Sequence, residues 1–576
     1  MTAAQSNSTP SETSPLLRRP SSDSDSIKSS QSPISDASDV EDRRISLLRA
    51  IFIIASLGLI VFLQACNFSL LTTTQSAIAA DLDAFEEATW FTSAYLVPMS
   101  SITPLAGRLS QIFSPRSCIF VASVLFSLGG LATAFAPTVE WFLFGRALTG
   151  LGGAGILSLT IIIVLQVGGE KRRGLLLGCV NSVVTTGVSL GAVLGGAIEP
   201  SLGWRAVFWL QTPPAVLAGI VLFLSIPSHL GAGKGDTRTL RQKLSQIDYV
   251  GAITLTAAIT TLLISLAGPK ILLLPLILSF ILFPTFVFTE LYFARDPIIP
   301  ITLLKSRGTA LTCLATLGFM MSRWAVLFYT PVYALAVRLW PPAAAGSILI
   351  PTNLGFGSGG LLAGVLHIRR AGSFYLPTLI TMSLFPITLL ALGVASTAAT
   401  PAPLYVVLTF LNGLTTGAAI NYALVHALHL VPPETHFVLT SLVATFRGFA
   451  GSFGSAIGGG VFARLLADSL ARSFAERGIA GKQELIRRLL GSPALVARLS
   501  GVEQAVAIKG YEDALRGLFV AAVVLGAVTA VVQAGTGWRG YDDDGEGQEA
   551  RRHEDESEEE RRREREDEEV GEAVAA

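Results

Sequence analysis

The chain has 576 residues, 51% of them hydrophobic and 15% charged, with 42 basic and 42 acidic side chains. A typical soluble domain carries about 25% charged residues, and much of the charge here lies in the two tails, so the middle reads as a polytopic membrane protein. The net charge of +0 argues against an overall attraction to nucleic acid. Cys66, Cys118, Cys179 and Cys313 fall in different apolar segments without metal-ligand spacing and read as small packing residues. No metal, nucleotide or other cofactor site is expected. Gly187-Val-Ser189-Leu-Gly191 has the spacing of a nucleophile elbow, but it lies inside a lipid-length helix and lacks the strand-turn-helix context. Gly231-Ala-Gly-Lys234 lacks the spacing of a phosphate loop.

In chain order, residues 1–44 are rich in Ser, Asp and Pro and too poor in large apolar groups to form a core, so a disordered tail is expected. They hold no apolar region of a cleavable signal peptide, which leaves the first apolar segment as the insertion signal. Within this tail Glu12-Thr-Ser-Pro-Leu16-Leu17 matches the acidic dileucine pattern that sorting adaptors read as an address to vacuole-like membranes.

Fourteen apolar segments follow, near 50–72, 89–109, 116–136, 140–166, 174–197, 205–227, 247–268, 271–293, 308–334, 343–367, 374–396, 403–429, 437–463 and 514–534. Each is about twenty residues, the length a helix rising about 1.5 Å per residue needs to cross the hydrocarbon layer. The basic loop residues Arg43, Arg44, Arg49, Arg108, Arg116, Lys171, Arg172, Arg173, Lys234, Arg238, Arg241, Lys243, Arg369 and Arg370 all fall on one side of this arrangement. The positive-inside rule makes that side, and both termini, cytosolic. Residues 464–512 are expected to form a long non-cytosolic loop, with Glu484-Leu-Ile-Arg-Arg-Leu-Leu at amphipathic helical spacing. A charged tail over 536–576 ends the chain.

The stretch from Trp141 to Trp209 organises the rest. An arginine inside an apolar helix costs about 2.5 to 3.5 kcal/mol, so Arg146 should face a protein interior or a wet cavity and needs a partner. Gly187, Gly191 and Gly195 recur every fourth residue, share one helix face and invite a neighbouring backbone to approach.

At these residues a resemblance enters. Gly145-Arg146-Ala-Leu-Thr-Gly150-Leu-Gly152-Gly153 resembles the fourth-helix motif of the major facilitator superfamily, and the run from Gly187 through Gly191 to Gly195-Gly196 resembles its fifth-helix antiporter motif. Gly107-Arg108-Leu-Ser-Gln111-Ile-Phe-Ser-Pro-Arg116 is similar to the loop motif between the second and third helices, and Gly203-Trp204-Arg205 through Pro213 completes the set. Together, over about residues 49–535, they resemble most the fourteen-helix drug:proton antiporter branch, which also includes fungal vacuolar transporters of basic amino acids. The resemblance implies an all-α fold: an N-terminal six-helix lobe over 45–230, a loop and inserted helix pair over 231–305, and a C-terminal six-helix lobe over 306–535. Arg447, followed by Gly448, Gly451, Gly454 and Gly458, faintly repeats the arginine and four-spaced glycines of the first half. Three positions depart from the family pattern: Gln111 and Asn67 stand where aspartates are usual, and Ala192 where proline is.

Polar groups in lipid-length helices normally face a cavity or a partner. Candidate solute contacts are therefore Gln64, Asn67, Arg146, Asn181, Arg323, Asn353 and Asn421, with Gln75 and Asn412 as further buried amides. Each can equally be an interhelical packing residue. With the usual aspartates missing, Glu199, His426 and His429 are candidates for proton coupling, the histidines because their unperturbed pKa is about 6.5.

The expected function is secondary transport of a small organic solute by alternating access, with no covalent intermediate. Vacuolar uptake of basic amino acids in exchange for protons is the first expectation and drug or toxin export at the plasma membrane the second. A non-transporting nutrient receptor on the same scaffold is the third. The expected partners are the solute, protons, the bilayer and a sorting adaptor, with the protein itself a monomer.

Overall fold

The computed structural model describes residues 47–167, 169–227, 248–268, 270–293, 304–364, 374–432, 435–477 and 481–538. The N-terminal lobe comprises α1 (Leu47–Ser69), α2 (Leu71–Asp81), α3 (Trp90–Ile112), α4 (Pro115–Ala134), α5 (Val139–Val167), α6 (Gly169–Leu202), α7 (Trp204–Trp209) and α8 (Thr212–Ser225). An inserted pair follows, α9 (Tyr249–Ala267) and α10 (Leu273–Tyr292). The C-terminal lobe holds α11 (Arg307–Ala336), α12 (Pro342–Ser347), α13 (Leu349–Leu362), α14 (Tyr375–Val394), α15 (Ala402–His429), α16 (His436–Glu476), α17 (Gln483–Gly491) and α18 (Gly501–Ala534). Among the described residues, twelve helical spans are long and apolar enough to cross a membrane. The other two expected places are taken by α3 and by the broken pair α12 and α13. The dileucine element Glu12, Leu16 and Leu17, both tails and the basic loops at 234–243 and 369–370 lie outside the described residues.

Local chemistry sets the boundaries. Ser114 caps α4, its hydroxyl accepting from Ser117 N at 3.4 Å with Pro115 in the first turn, and Asp248 caps α9 by accepting from Gly251 N at 2.7 Å. Gly203, at φ 78°, turns the chain from α6 into α7, a backbone angle that disfavours side chains. The first span runs past the expected end to Asp81, with a break at Leu70 where Thr72, Thr73 and Thr74 bond back to Ser69 and Leu70 carbonyls.

The long loop expected over 464–512 is shorter in the structure. Helix α16 continues to Glu476 and α18 begins at Gly501, leaving 477–500 as the connection. Arg464, which marks the expected loop start, instead donates from Nη1 to Gly268 O at 2.9 Å, so its charge is satisfied by the α9–α10 turn while the helix goes on.

Packing within each lobe follows the glycines. A Cβ added at Gly187, Gly191 or Gly195 would lie 2.6 Å from Ala65 Cβ, 2.5 Å from Ser69 Oγ and 2.9 Å from Leu70 O, so α6 rests on the first span with backbone nearly touching backbone. The second lobe repeats this: a Cβ at Gly454 would lie 2.8 Å from Trp324 Cβ and 3.0 Å from Met321 O, seating α16 on α11.

Between the lobes there are two seams. In one, Gly196 of α6 meets Pro342 and Gly346 of α12 meets Ala192, each with a hypothetical Cβ 2.5 Å from the opposing backbone. In the other, Ser452 Oγ of α16 lies 2.8 Å from Leu96 O and 2.6 Å from Ser100 Oγ of α3, and Ser93 Oγ is 3.5 Å from Ser455 Oγ. The inserted pair packs α9 against α3 and α16, beside this second seam. Helix α10 faces outward, with Leu274 79% and Phe280 69% exposed, as a lipid-facing surface requires.

Gly191→Leu is expected to destabilise the protein by about 1–3 kcal/mol or more by overpacking α6 against α1. Gly458→Ala, where nothing lies within 4 Å, is expected to be neutral or slightly stabilising. Thermal unfolding of the purified protein in detergent measures both.

Candidate solute-binding and gating site

Arg146 is 0% exposed and sits at the junction of four spans. Its Nη1 donates to Asn67 Oδ1 at 2.8 Å, its Nε to Phe91 O at 3.1 Å and its Nη2 to Asn67 O at 3.5 Å. The guanidinium lies 4.7 Å from the Tyr95 ring centre and 5.6 Å from that of Phe208. Asn67 is equally committed: its Nδ2 donates to Gln211 Oε1 at 2.5 Å and to Leu63 O at 3.2 Å. Gln211, at the bend between α7 and α8, in turn donates to Val207 O at 2.6 Å. The expectation that Arg146 has a partner inside the protein is met by a neutral amide. The polar groups of Arg146 and Asn67 are engaged with each other and with Phe91, Gln211 and Leu63.

A second buried arginine organises the other lobe. Arg323 of α11, 2% exposed, donates from Nη1 to Thr352 Oγ1 at 2.5 Å and from Nη2 to Asn353 Oδ1 and Thr352 O, each at 3.3 Å. The next residue, Trp324, belongs to an aromatic step that crosses between the lobes. Phe68 lies 5.7 Å from Tyr95 and 5.5 Å from Trp324, and Trp324 stacks on Phe328 at 5.3 Å. Around this step Gln64 Oε1, Trp324 Nε1 and Asn353 Nδ2 are buried without a hydrogen-bond partner. Unspent buried polar atoms carry a free-energy cost, which a bound solute could offset.

The remaining candidates are dispersed. Asn181 is exposed on α6, and Asn421 Nδ2 donates to Gly417 O within α15 at 2.9 Å. Arg447 of α16 is half-buried, with its guanidinium 5.8 Å from the Phe356 ring centre. His426 is buried with Nε2 3.0 Å from Thr536 Oγ1, and His429 follows one turn on at the same end of α15. Glu199, half-buried near the opposite end of the bundle, has Arg498 as its charged neighbour, so the three coupling candidates do not form one cluster.

Among the motif residues, Gly150 lets α5 approach Tyr95 O, which a Cβ would meet at 2.2 Å. Arg116 lies 4.2 Å from the Phe223 ring centre, and Gly107 stands in open space. The side chains of Arg108 and Gln111 are outside the described residues. Trp204 Nε1 donates to Asp81 Oδ2 at 3.2 Å, while Arg205 pairs with the same carboxylate and reaches Ala136 O at 3.2 Å.

Residues 481–500 of this connection form a cap that sequence reasoning did not assign. It belongs to the second lobe but grips the first. Arg487 Nη2 donates to Asp83 Oδ1 at 2.8 Å, and its guanidinium sits 5.5 Å from the Phe85 ring centre. Gln75 Nε2 donates to Gly491 O at 3.3 Å, and Ala494 N to Ser76 Oγ at 3.2 Å. Leu489 and Val496 are 0% exposed, so the amphipathic face expected to lie in the membrane interface packs on protein instead. Hydrogen bonds from Arg487 and Arg488, at 3.0 and 2.8 Å, hold the Glu484 carboxyl below its usual range. The spacing of α17 was legible; its landing site on 75–85 carried no signal.

With this geometry in place the comparisons are informative. The profile of the Major Facilitator Superfamily matches residues 57–455. "MFS-type transporter clz4" of Cochliobolus lunatus is 28% identical over 507 residues, covering 86% of this chain and 86% of that protein. "Multidrug resistance protein fnx1" of Schizosaccharomyces pombe is 25% identical over 480 residues, covering 81% and 88%. A bacterial homolog of the human lysosomal transporter Spinster, in an inward-facing and unoccupied conformation, superposes with a TM-score of 0.58 at 14% identity, covering 85% of this chain and 97% of that one, which speaks to fold alone. This chain belongs to the Major Facilitator Superfamily. It is a multi-pass membrane transporter of small solutes, not an enzyme.

Arg146→Met is expected to lower stability by about 2–3 kcal/mol, because buried acceptors at Asn67 and Phe91 lose their donor. Adding Asn67→Leu should recover part of that loss, a coupling a pure solute contact would not show; a double-mutant thermal-unfolding cycle tests it.

The depressed Glu484 fixes a pH dependence as well. Its stabilising bonds are fully present above the ordinary carboxyl value of 4.5 and fade only as pH falls through the lower folded value. Corrected for the intrinsic pH dependence of exchange, the protection of amides 483–491 should therefore be unchanged between about pH 7 and about pH 5, and lower at both in Glu484→Gln.

Proposed function

We propose that this chain removes a small, non-cationic organic solute from the cytosol by alternating access. The observation that carries the proposal is the pair of equivalent seams, α6 with α12 and α3 with α16. Both lie toward the capped end of the bundle and rest on glycine and serine contacts that can separate. Under the positive-inside reading the capped end faces away from the cytosol, so the solute enters from the cytosolic side.

The charge inside the bundle bears on the solute. Apart from Glu170 and Glu199 toward the two ends of α6, the lobe-lining helices carry no Asp or Glu over 47–80, 90–112, 141–167, 307–336, 342–362, 402–429 and 436–467, while Arg146, Arg323 and Arg447 all lie within these ranges. A cation passing there would meet three arginines, with carboxylates only toward the ends of α6. This favours the second sequence expectation, export of a drug-like or toxin-like compound, over carriage of basic amino acids. The names of two relatives, a multidrug resistance protein and "MFS-type efflux pump LUC4" of a Fusarium species, point the same way. Proton exchange, expected from the resemblance, would fall to Glu199 beside Arg498, with the histidines of α15 as the other titratable groups. The destination is the vacuolar membrane if adaptors read Glu12-Leu16-Leu17, and the plasma membrane otherwise. Relocation of a tagged Leu16→Ala/Leu17→Ala variant tests that address.

The central test locks a seam. In a background with the four cysteines replaced, Ser93→Cys with Ser455→Cys should form a disulfide on oxidation, since the two hydroxyls stand 3.5 Å apart. Flux of fluorescent neutral and anionic solutes into vesicles should stop on oxidation and return with reductant. Flux that continues through a formed cross-link would sink alternating access about this seam. No flux of any solute before oxidation would favour the receptor reading.

A further inference from the structure

We infer that the second lobe holds an oxyanion site, built from Arg447, Asn353 and Phe356, that recognises the carboxylate of an otherwise apolar aromatic solute. The inference deepens the transport reading and rests on it for the passage to which the site belongs.

The first observation is a surplus of donors. Arg323 can only donate, so the Asn353 side chain must turn Oδ1 toward it, at 3.3 Å. That leaves Asn353 Nδ2 buried, with two N–H groups and no acceptor. One turn further along α13, the Phe356 ring centre is 5.8 Å from the Arg323 guanidinium and 5.8 Å from that of Arg447. The ring therefore stands near two cations, one of which, Arg323, holds the asparagine whose donor is unspent.

The second observation is the contrast among the three arginines. Arg146 and Arg323 are sealed, at 0% and 2% exposure, with carbonyl, amide or hydroxyl oxygens as acceptors. Arg447 is half-buried, with its guanidinium near the Phe356 ring and, among the described residues, no hydrogen bond or ion pair. A cation seated on an aromatic face keeps its in-plane N–H groups free to bind an anion. No carboxylate lies within residues 436–467 of α16 or on α11, α13 or α15 to occupy it. An acceptor-only ligand matches this arrangement: one carboxylate oxygen can take a guanidinium N–H and the other an amide N–H.

The third observation concerns the body of the ligand. Trp324, next in sequence to Arg323, stacks on Phe328 at 5.3 Å and keeps a buried, unspent Nε1 donor. With Phe68 it supplies flat apolar surface from both lobes. An aromatic carboxylate satisfies both halves, whereas a cationic solute satisfies neither the free donors nor the charge.

The test compares three solutes of one shape, 2-naphthoate, 2-naphthamide and 2-naphthylmethylammonium, by titration calorimetry on the full chain in phosphatidylcholine nanodiscs. Naphthoate is expected to bind about tenfold or more tighter than the amide, the scale of a charge-assisted hydrogen bond, and the ammonium weakest. Arg447→Gln should bring naphthoate to the level of the amide while leaving the amide's affinity unchanged, and Arg447→Lys should keep part of the preference. Should the glutamine variant lose its monodisperse size-exclusion profile, the lysine variant carries the comparison, with a partial loss of preference supporting the site. Equal affinity for acid and amide, no naphthoate binding up to about 1 mM, or an undiminished preference in Arg447→Gln or Arg447→Lys overturns the inference. If the preference holds but no solute crosses vesicles, the site stands and the transport reading falls. If neutral solutes cross while acid and amide bind alike, the oxyanion site falls alone.

Discussion

A positive charge held in an apolar interior by neutral partners is the constraint on which the first lobe depends. Arg146 draws on the amide and carbonyl of Asn67 and the carbonyl of Phe91, with Tyr95 and Phe208 turning their ring faces toward it. Because the partner is an asparagine, the pairing does not depend on a proton. A carboxylate at the same place would let one protonation event cancel or restore the charge and so loosen or tighten four spans together. Asn67 removes that switch. Under the proposed alternating access the lobe then moves as one body, and movement comes from where the lobes meet.

The meeting surfaces are suited to that. In lipid there is no hydrophobic force between helices, so association rests on close packing and on hydrogen bonds. Within the lobes, glycines on α6 and α16 bring whole helix faces against α1 and α11. Between the lobes the contacts are shorter: one turn of α12 against the end of α6, and four serines of α3 and α16 that meet in two pairs. Ala192 fits into this picture directly. Standing where the family usually has proline, it keeps a backbone N–H for its helix, while its carbonyl accepts from Thr73 Oγ1 at 2.9 Å and its backbone faces Gly346. The same helix thus holds firmly to its own lobe on one face and lightly to the other lobe on the next.

How much of this could be read beforehand depended on whether the signal was local. Apolar segments of lipid length, the motif order and the four-residue glycine spacing are properties of contiguous sequence, and all fourteen expected places hold helix. The need of Arg146 for a partner was likewise legible, since the cost of burial belongs to the residue itself. Its partner's role was not, because whether Asn67 faces a solute or an arginine depends on the angle at which α1 meets α5. Gln211 illustrates the same limit: it lies inside a quoted motif, yet its function as the second acceptor around Asn67 exists only once α7 bends into α8. The span ends were misjudged where charged side chains found protein partners, as Arg464 did on the α9–α10 turn.

The cap over the closed end adds an asymmetry that the repeat of the two lobes does not contain. Residues 481–500 belong to the second lobe, yet polar contacts from them reach Gln75, Ser76 and Asp83 of the first. The ion pair among them is largely in water, with the Asp83 side chain 76% exposed, and pairs of that kind contribute about 0–1 kcal/mol. Gly491 is pressed against the Phe85 backbone of the landing site, and Tyr511 of α18 holds the Leu489 carbonyl, so the cap is held from both lobes. Rocking of the lobes would carry the cap away with the second lobe and expose a few polar groups to water, which can replace each lost bond. Such a closure favours one state without trapping it, as a carrier that must open at both ends in turn requires.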